Sequence, residues 1–158
     1  MRKITLISPY FWKKFPSTFP ALLDSMRHNP EVTFIIPTNV EFNVTESTNN
    51  VIFIKTDLLD LNKEIDAILG YHATIKSAYK LVDFKPMYGK LFSKYILNST
   101  WWGYFDFDII FGNISRFLTD AFLENYDRIY THGHLTLFRN NEYMNTLWNK
   151  KFDLPEIP

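Results

Sequence analysis

The stretch Trp101-Trp102-Gly103-Tyr104-Phe105-Asp106-Phe107-Asp108-Ile109-Ile110-Phe111-Gly112 joins a nearly continuous apolar and aromatic run to two carboxylates. Such a run suits a strand buried in a sheet. A period of two puts Asp106 and Asp108 on one strand face, or lets both converge where the strand ends. Ionised carboxylates are costly to bury unless they are paired or hold a metal. Oxygen ligands at this spacing suit Mg²⁺ or Mn²⁺, and either ion can hold a diphosphate. Gly103 and Gly112 would let the backbone turn or approach a ligand closely. Two readings stand on this motif alone: a cation site, or an edge strand whose aspartates face water.

Upstream, Lys3 to Ser8 reads as a buried strand followed by the loop Pro9-Tyr10-Phe11-Trp12. Pro16 to Met26 places Phe19, Leu22, Leu23 and Met26 at helical spacing, with Ser17 as N-cap. His28-Asn29-Pro30 ends that helix. Val32 to Ile36 is a second strand, closed by Pro37-Thr38-Asn39. Val40 to Asn50 is a polar loop, and Val51 to Lys55 a third strand. Thr56 or Asp57 starts a helix to about Leu69, with Leu58, Leu61, Ile65 and Ile68 inward and Gly70 as its stop.

Tyr79 to Tyr95 mixes apolar and charged residues. Leu81, Phe84 and Tyr88 can face a core while Lys80, Asp83 and Lys85 project elsewhere, and Pro86 breaks or restarts the helix. A solvated charged face is the plain alternative. Downstream, Ile114 to Glu124 reads as one helix with Phe117, Leu118, Ala121 and Phe122 inward. Asp127 to Thr131 is a short strand, followed by His132-Gly133-His134. Leu135 to Phe138 suggests a strand or turn, and Tyr143 to Trp148 a last helix. The alternation predicts one α/β domain over residues 1–150, a Rossmann-like sheet flanked by helices, with a tail over 151–158. Such sheets bind ligands at the carboxyl ends of their strands. That gathers Pro9 to Trp12, Pro37 to Asn39 and Asp106 to Asp108 around one crevice.

Composition narrows the function classes. The chain has 158 residues, 46% hydrophobic and 18% aromatic, enough for a real core and against disorder. Lys plus Arg equals Asp plus Glu at 17 each, so there is no electrostatic footprint for nucleic acid. The absence of cysteine excludes disulfides, thiol catalysis and Cys-ligated zinc. The apolar start is too short for a signal peptide, and no stretch has the length of a transmembrane helix. A cytoplasmic protein is the default expectation. His132 and His134, two residues apart, can ligate metal through neutral imidazole nitrogens, although such a pair alone is more often structural.

Several motifs recur in one order along the chain: Pro9-Tyr10-Phe11, Asn29-Pro30, Tyr79-Lys80-Leu81-Val82-Asp83-Phe84-Lys85-Pro86-Met87-Tyr88-Gly89, Trp102-Gly103 through Asp106 and Asp108 to Gly112, and Gly133-His134 with Arg139-Asn140. Together they resemble a bacterial glycosyltransferase family of unknown function with a nucleotide-sugar-transferase (GT-A-like) fold. The resemblance implies a metal-dependent transfer of a sugar from a nucleotide-diphosphate donor to a polysaccharide or glycolipid precursor, with Mn²⁺ or Mg²⁺ as cofactor. It implies work in the cytoplasm, with peripheral contact at the inner face of the membrane. Asp108 is then the direct metal ligand, and Asp106 binds metal or ribose. Lys80 and Lys85 add positive charge near the phosphates. Asp83 binds sugar hydroxyls or orients a lysine. Pro9, Tyr10 and Phe11 belong to the substrate pocket, and His134 in the shared Gly-His motif is favoured over His132 as a ligand.

The departures from that pattern point elsewhere. Trp12 stands where the family has Gly, Asn39 where it has Asp, and Val82, for Cys, reads as packing only. Family members also continue beyond Arg-Asn. The expectation is a shallow, open donor cleft with Asp106 and Asp108 at its floor and an apolar rim of Tyr10, Phe11 and Trp12. A missing segment or a second copy of the chain would cover that rim. The competing readings are a non-catalytic nucleotide-sugar-binding module and a metal-dependent hydrolase using Asp106, Asp108 and His134.

Overall fold

The computed structural model describes residues 3–42, 48–131 and 133–151. The expected tail, His132 and part of the loop after Val40 fall largely or wholly outside them. Among the described residues six strands form one sheet: β1 (Ile4–Ile7), β2 (Val32–Thr38), β3 (Val51–Lys55), β4 (Trp101–Phe105), β5 (Arg128–Ile129) and β6 (Leu135–Arg139). Their order is β3-β2-β1-β4-β6-β5. The strands β3, β2, β1 and β4 run parallel, and β6 pairs antiparallel with both β4 and β5. The strand succession from β1 to β3 runs one way from the middle of the sheet, and β4 lies on the other side of β1. The carboxyl ends of β1 and β4 therefore form the switch point at which such sheets bind ligands.

Alternation along each strand builds two cores. Ile4, Leu6, Trp101 and Phe105 pack on one face with Phe19, Leu22 and Met26 of α1 (Phe19–Arg27). Ile7, Trp102 and Tyr104 pack on the other face with Leu61 and Ile65 of α2 (Leu58–Leu69). The sheet is thus covered on both faces, which explains why its central strands carry almost no polar residue. The motif strand β4 is interior, between β1 and β6, which removes the edge-strand reading. No helix among the described residues is long and apolar enough to cross a membrane.

Asp57 caps α2, its carboxylate accepting from Asp60 N at 2.8 Å, and Gly70 closes the helix at φ +76°. Removing the cap by Asp57→Ala should cost about 1 kcal/mol, read as a lowered thermal midpoint. The cavity described below should be untouched. The cap of α1 is Thr18 rather than Ser17, and it makes no side-chain bond. Pro20 in the first turn serves instead, because its φ is preset and its absent N–H needs no partner there.

Three further expectations change. Pro37 continues β2 instead of closing it. Its carbonyl accepts from Tyr10 N at 2.8 Å and the Ile35 carbonyl from Ser8 N at 3.0 Å, so its nitrogen faces the continuation of β1, where the ladder goes without the one donor that proline lacks. The helix expected over 114–124 is two short ones, α5 (Ile114–Phe117) and α6 (Asp120–Leu123). Thr119 interrupts it by capping α6, its hydroxyl accepting from Phe122 N at 3.2 Å. Ile114, Leu118 and Leu123 are buried, while Phe117, Ala121 and Phe122 are exposed.

The third change matters most for the site. Ala78–Met87 is a ten-residue 3₁₀ helix, which runs through Pro86 into α3 (Tyr88–Leu91) and is followed by α4 (Ser93–Ile96). Its period is three, not 3.6. Ala78, Leu81, Phe84 and Met87 therefore stack on the core. Tyr79, Val82 and Lys85 line up along a second edge, and Lys80 and Asp83 fall on a third.

Candidate functional site

At the switch point lies an open cavity of about 720 Å³. Its floor comes from the residues just beyond β4, Asp106, Phe107 and Asp108, and its walls include Tyr10, Trp12, Tyr79 and Val82. A smaller recess of about 120 Å³ continues behind Lys85 and Asp106 and reaches Ser8, Pro9 and Tyr88.

β4 ends at Phe105, so the two aspartates do not share a strand face; they converge past its end. Phe105 pairs with Leu135 in the antiparallel register, and the ladder extends outward by Asp106 N donating to His134 O at 2.9 Å. This pairing brings His134 beside Asp106, following a turn in which Gly133 takes φ +48°. The segment leaving the site is pinned from the far end of α1. Ser25 Oγ accepts from Phe111 N at 3.2 Å, and buried Asn29 donates to Gly112 O at 2.9 Å and accepts from Ile114 N at 2.8 Å. Asn29, read from sequence as part of a helix stop, thus holds the segment that follows Asp108. Gly112 has open space around it and no left-handed φ. It makes no close approach to a ligand pocket.

Lys85 Nζ donates to Asp106 Oδ1 at 2.5 Å, and its ammonium lies 4.9 Å from the Tyr104 ring centroid. The Lys85 side chain is 14% exposed and that of Asp106 33%. The second oxygen of Asp106 lies 3.3 Å from His134 Nδ1, which in turn is 3.9 Å from Asp108 Oδ1. Asp108 and His134 are largely exposed. Behind this cluster Tyr88 is fully buried and donates to Leu81 O at 3.2 Å. Burial first, then the Asp106 charge, pushes its phenol well above the ordinary range, so it stays a neutral donor.

One ligand atom each from Asp106, Asp108 and His134 lies within 4.8 Å of the others. Two ligands about 2.1 Å from one ion can stand no more than about 4.2 Å apart. A small inward rotation of exposed Asp108 and His134 closes that difference. Two carboxylates and one imidazole suit Mn²⁺ better than Mg²⁺, since nitrogen is a softer ligand than Mg²⁺ favours. The residues present therefore fit a divalent cation, and three protein ligands leave coordination positions open.

The other expected site residues divide. Tyr10 lines the cavity, held by Thr38 Oγ1 donating to its carbonyl at 2.6 Å and by stacking on Phe107 at 4.3 Å between centroids. Pro9 lines only the inner recess. Phe11 is buried in the second core beside Ile7 and Leu61 and does not form the rim, because the chain turns inward after the Tyr10 bridge. Trp12 does stand at the rim, 60% exposed. Lys80 and Asp83 pair with each other at 3.4 Å and lie outside the cavity. Pro37 to Asn39 do not line it either; Thr38 supports it from behind. Arg139 braces the turn before β5, donating to Leu123, Tyr126 and Asp127, and Asn140 holds the Ile96 and Ser99 carbonyls. Both serve the fold.

Sequence reasoning missed Tyr79 and Val82 as cavity residues. The signal was present as the threefold spacing Tyr79, Val82, Lys85, but a helix of period 3.6 was assumed. Tyr104 was also missed, although it shares the strand side of Asp106.

No curated protein and no solved structure matches this chain. Residues 6–156 match a family described as a family of unknown function, DUF6625. The match spans nearly the whole sequence, and the chain belongs to that family.

Proposed function

We propose that this protein is a metal-dependent glycosyltransferase. It would move a sugar from a nucleotide-diphosphate donor to a saccharide or glycolipid acceptor in the cytoplasm. One observation carries the reading: Asp106 and Asp108 converge on the floor of an open cavity at the sheet's switch point, with His134 close beside both. The GT-A-like pattern of the sequence motifs supports it. A divalent cation held there supplies Lewis-acid neutralisation of a diphosphate leaving group. Asp106, Asp108 and His134 hold it, Lys85 fixes the orientation of Asp106, and the aromatic walls exclude water from one side of the donor.

A second reading, a nucleotide-sugar-binding module without turnover, is favoured by one feature. Among the described residues lining the cavity, the only carboxylates are Asp106 and Asp108. Both are committed to the cation, and an inverting transfer needs a further base to deprotonate the acceptor.

Calorimetry with uridine and guanosine diphosphates tests the binding common to both readings. Heat should appear with Mn²⁺ present, vanish without it, and vanish in Asp108→Ala. Equal binding by the variant rejects both. A panel of nucleotide sugars with Mn²⁺ then separates them: slow hydrolysis or transfer supports the enzyme, and binding without any turnover supports the module.

A further inference from the structure

Lys85 occupies an unusual position for a residue first read as a phosphate ligand. It does not stand free at the cavity wall. Its ammonium is bound to Asp106 at 2.5 Å, shielded to 14% exposure and packed over the Tyr104 ring. The 3₁₀ period holds it there, since Leu81, Phe84 and Met87 anchor the same helix in the core.

This arrangement changes what the cluster offers a cation. Two aspartates alone would present two negative charges. With Lys85 against Asp106 the two carboxylates and the ammonium sum to one, and one oxygen of Asp106 is already engaged. A lone divalent cation neutralises the two carboxylates and leaves the partly buried Lys85 ammonium as an uncompensated positive charge beside it, which is unfavourable at low local dielectric. An anion bridging cation and ammonium removes that penalty.

We infer that Lys85 is a positioning residue that couples the two ligands: it weakens binding of a divalent cation alone and makes it depend on a bound diphosphate. The inference rests on the cation site proposed above but not on the identity of the sugar donor. It differs from a simple phosphate contact in the sign of one effect. Loss of a phosphate contact leaves binding of the cation alone unchanged, whereas loss of the coupling residue strengthens it.

The test is Mn²⁺ binding to the full chain by electron paramagnetic resonance, with and without inorganic pyrophosphate. A control titration corrects for Mn²⁺ bound by pyrophosphate itself. In the wild type, pyrophosphate should tighten Mn²⁺ binding by about tenfold or more, a common size for site–site coupling. Lys85→Met should bind Mn²⁺ alone about tenfold more tightly and lose most of the pyrophosphate effect, and Lys85→Arg should restore the coupling. Urea midpoints check that each variant is folded. The inference is overturned if wild-type Mn²⁺ binding is indifferent to pyrophosphate, a measurement that needs no variant. It also falls if Lys85→Met leaves Mn²⁺ affinity unchanged or lowers it. Coupling to pyrophosphate but not to any nucleoside diphosphate would reject the transferase reading and leave the role of Lys85 standing.

Discussion

Gly103→Ala is expected to destabilise this protein strongly. A Cβ at Gly103 would fall inside the contact distance of the Thr136 carbonyl oxygen, 3.0 Å from Leu6 Cδ2 and 3.1 Å from Leu137 Cα. The Leu6 methyl can turn aside. The other two atoms are backbone of β6, the antiparallel partner of β4, with Gly103 directly opposite Leu137. β4 cannot retreat, because β1 is bonded to its other side. Overpacking a core costs about 1–3 kcal/mol, and here the strain falls on the ladder that sets Asp106 beside His134. A loss of about 3 kcal/mol or more is expected from a total of about 5–15 kcal/mol for a domain. The urea midpoint should fall steeply and expression should suffer. Gly112→Ala is the control: nothing lies near its Cβ, so its midpoint should stay within about 0.5 kcal/mol of wild type. Matching midpoints for both variants and the wild type would refute the close approach of β4 and β6.

The second large effect separates two aspartates that look alike in sequence. With pyrophosphate present, Asp106→Asn and Asp108→Asn should each weaken Mn²⁺ binding on the order of 100-fold, since even outer-shell changes cost about 10–100-fold. Their stabilities should diverge. Asp108 is exposed at 76% and its replacement should leave the urea midpoint within about 0.5 kcal/mol. Asp106→Asn strands the shielded Lys85 ammonium without its anion. Breaking a fully buried pair costs about 3–5 kcal/mol; with Asp106 one-third exposed, about 1–3 kcal/mol is expected. Wild-type Mn²⁺ affinity in both variants would remove the cation site. Equal destabilisation by both would mean that Asp108 also has a structural partner.

The family of this chain carries no assigned function, and the cavity gives it a testable chemistry. The cluster of Asp106, Asp108 and His134, Lys85 and the aromatic rim formed by Tyr10, Trp12 and Tyr79 come from four separated segments. Only the β1–β4 switch point joins them. The rim is open, with Trp12 and Tyr79 both well exposed.

Local pattern alone was enough for much of this architecture. The β3 bounds, the α2 cap at Asp57 and its stop at Gly70 follow from short-range chemistry: apolar runs, a carboxylate that accepts a free N–H, and a glycine that tolerates positive φ. The aspartate pair was legible because charge inside an apolar run demands an explanation. Where pattern failed, a choice between near-equal local states was decided by contacts distant in sequence. The residues from Ala78 to Met87 satisfy a period of three or of 3.6, and packing into the second core selects three, which sends Lys85 into the site and Lys80 out. Phe11 is as apolar as a rim residue or a core residue can be. The bridge of Tyr10 to Thr38 turns it inward. His134 reaches Asp106 only through the register of β6 on β4, a pairing across some thirty residues. Sequence by itself determined most of the strands, the two longer α-helices and the presence of a charged cluster. Which side chains meet there was left to strand order, register and helix period, because those are set by burial summed over the whole sheet.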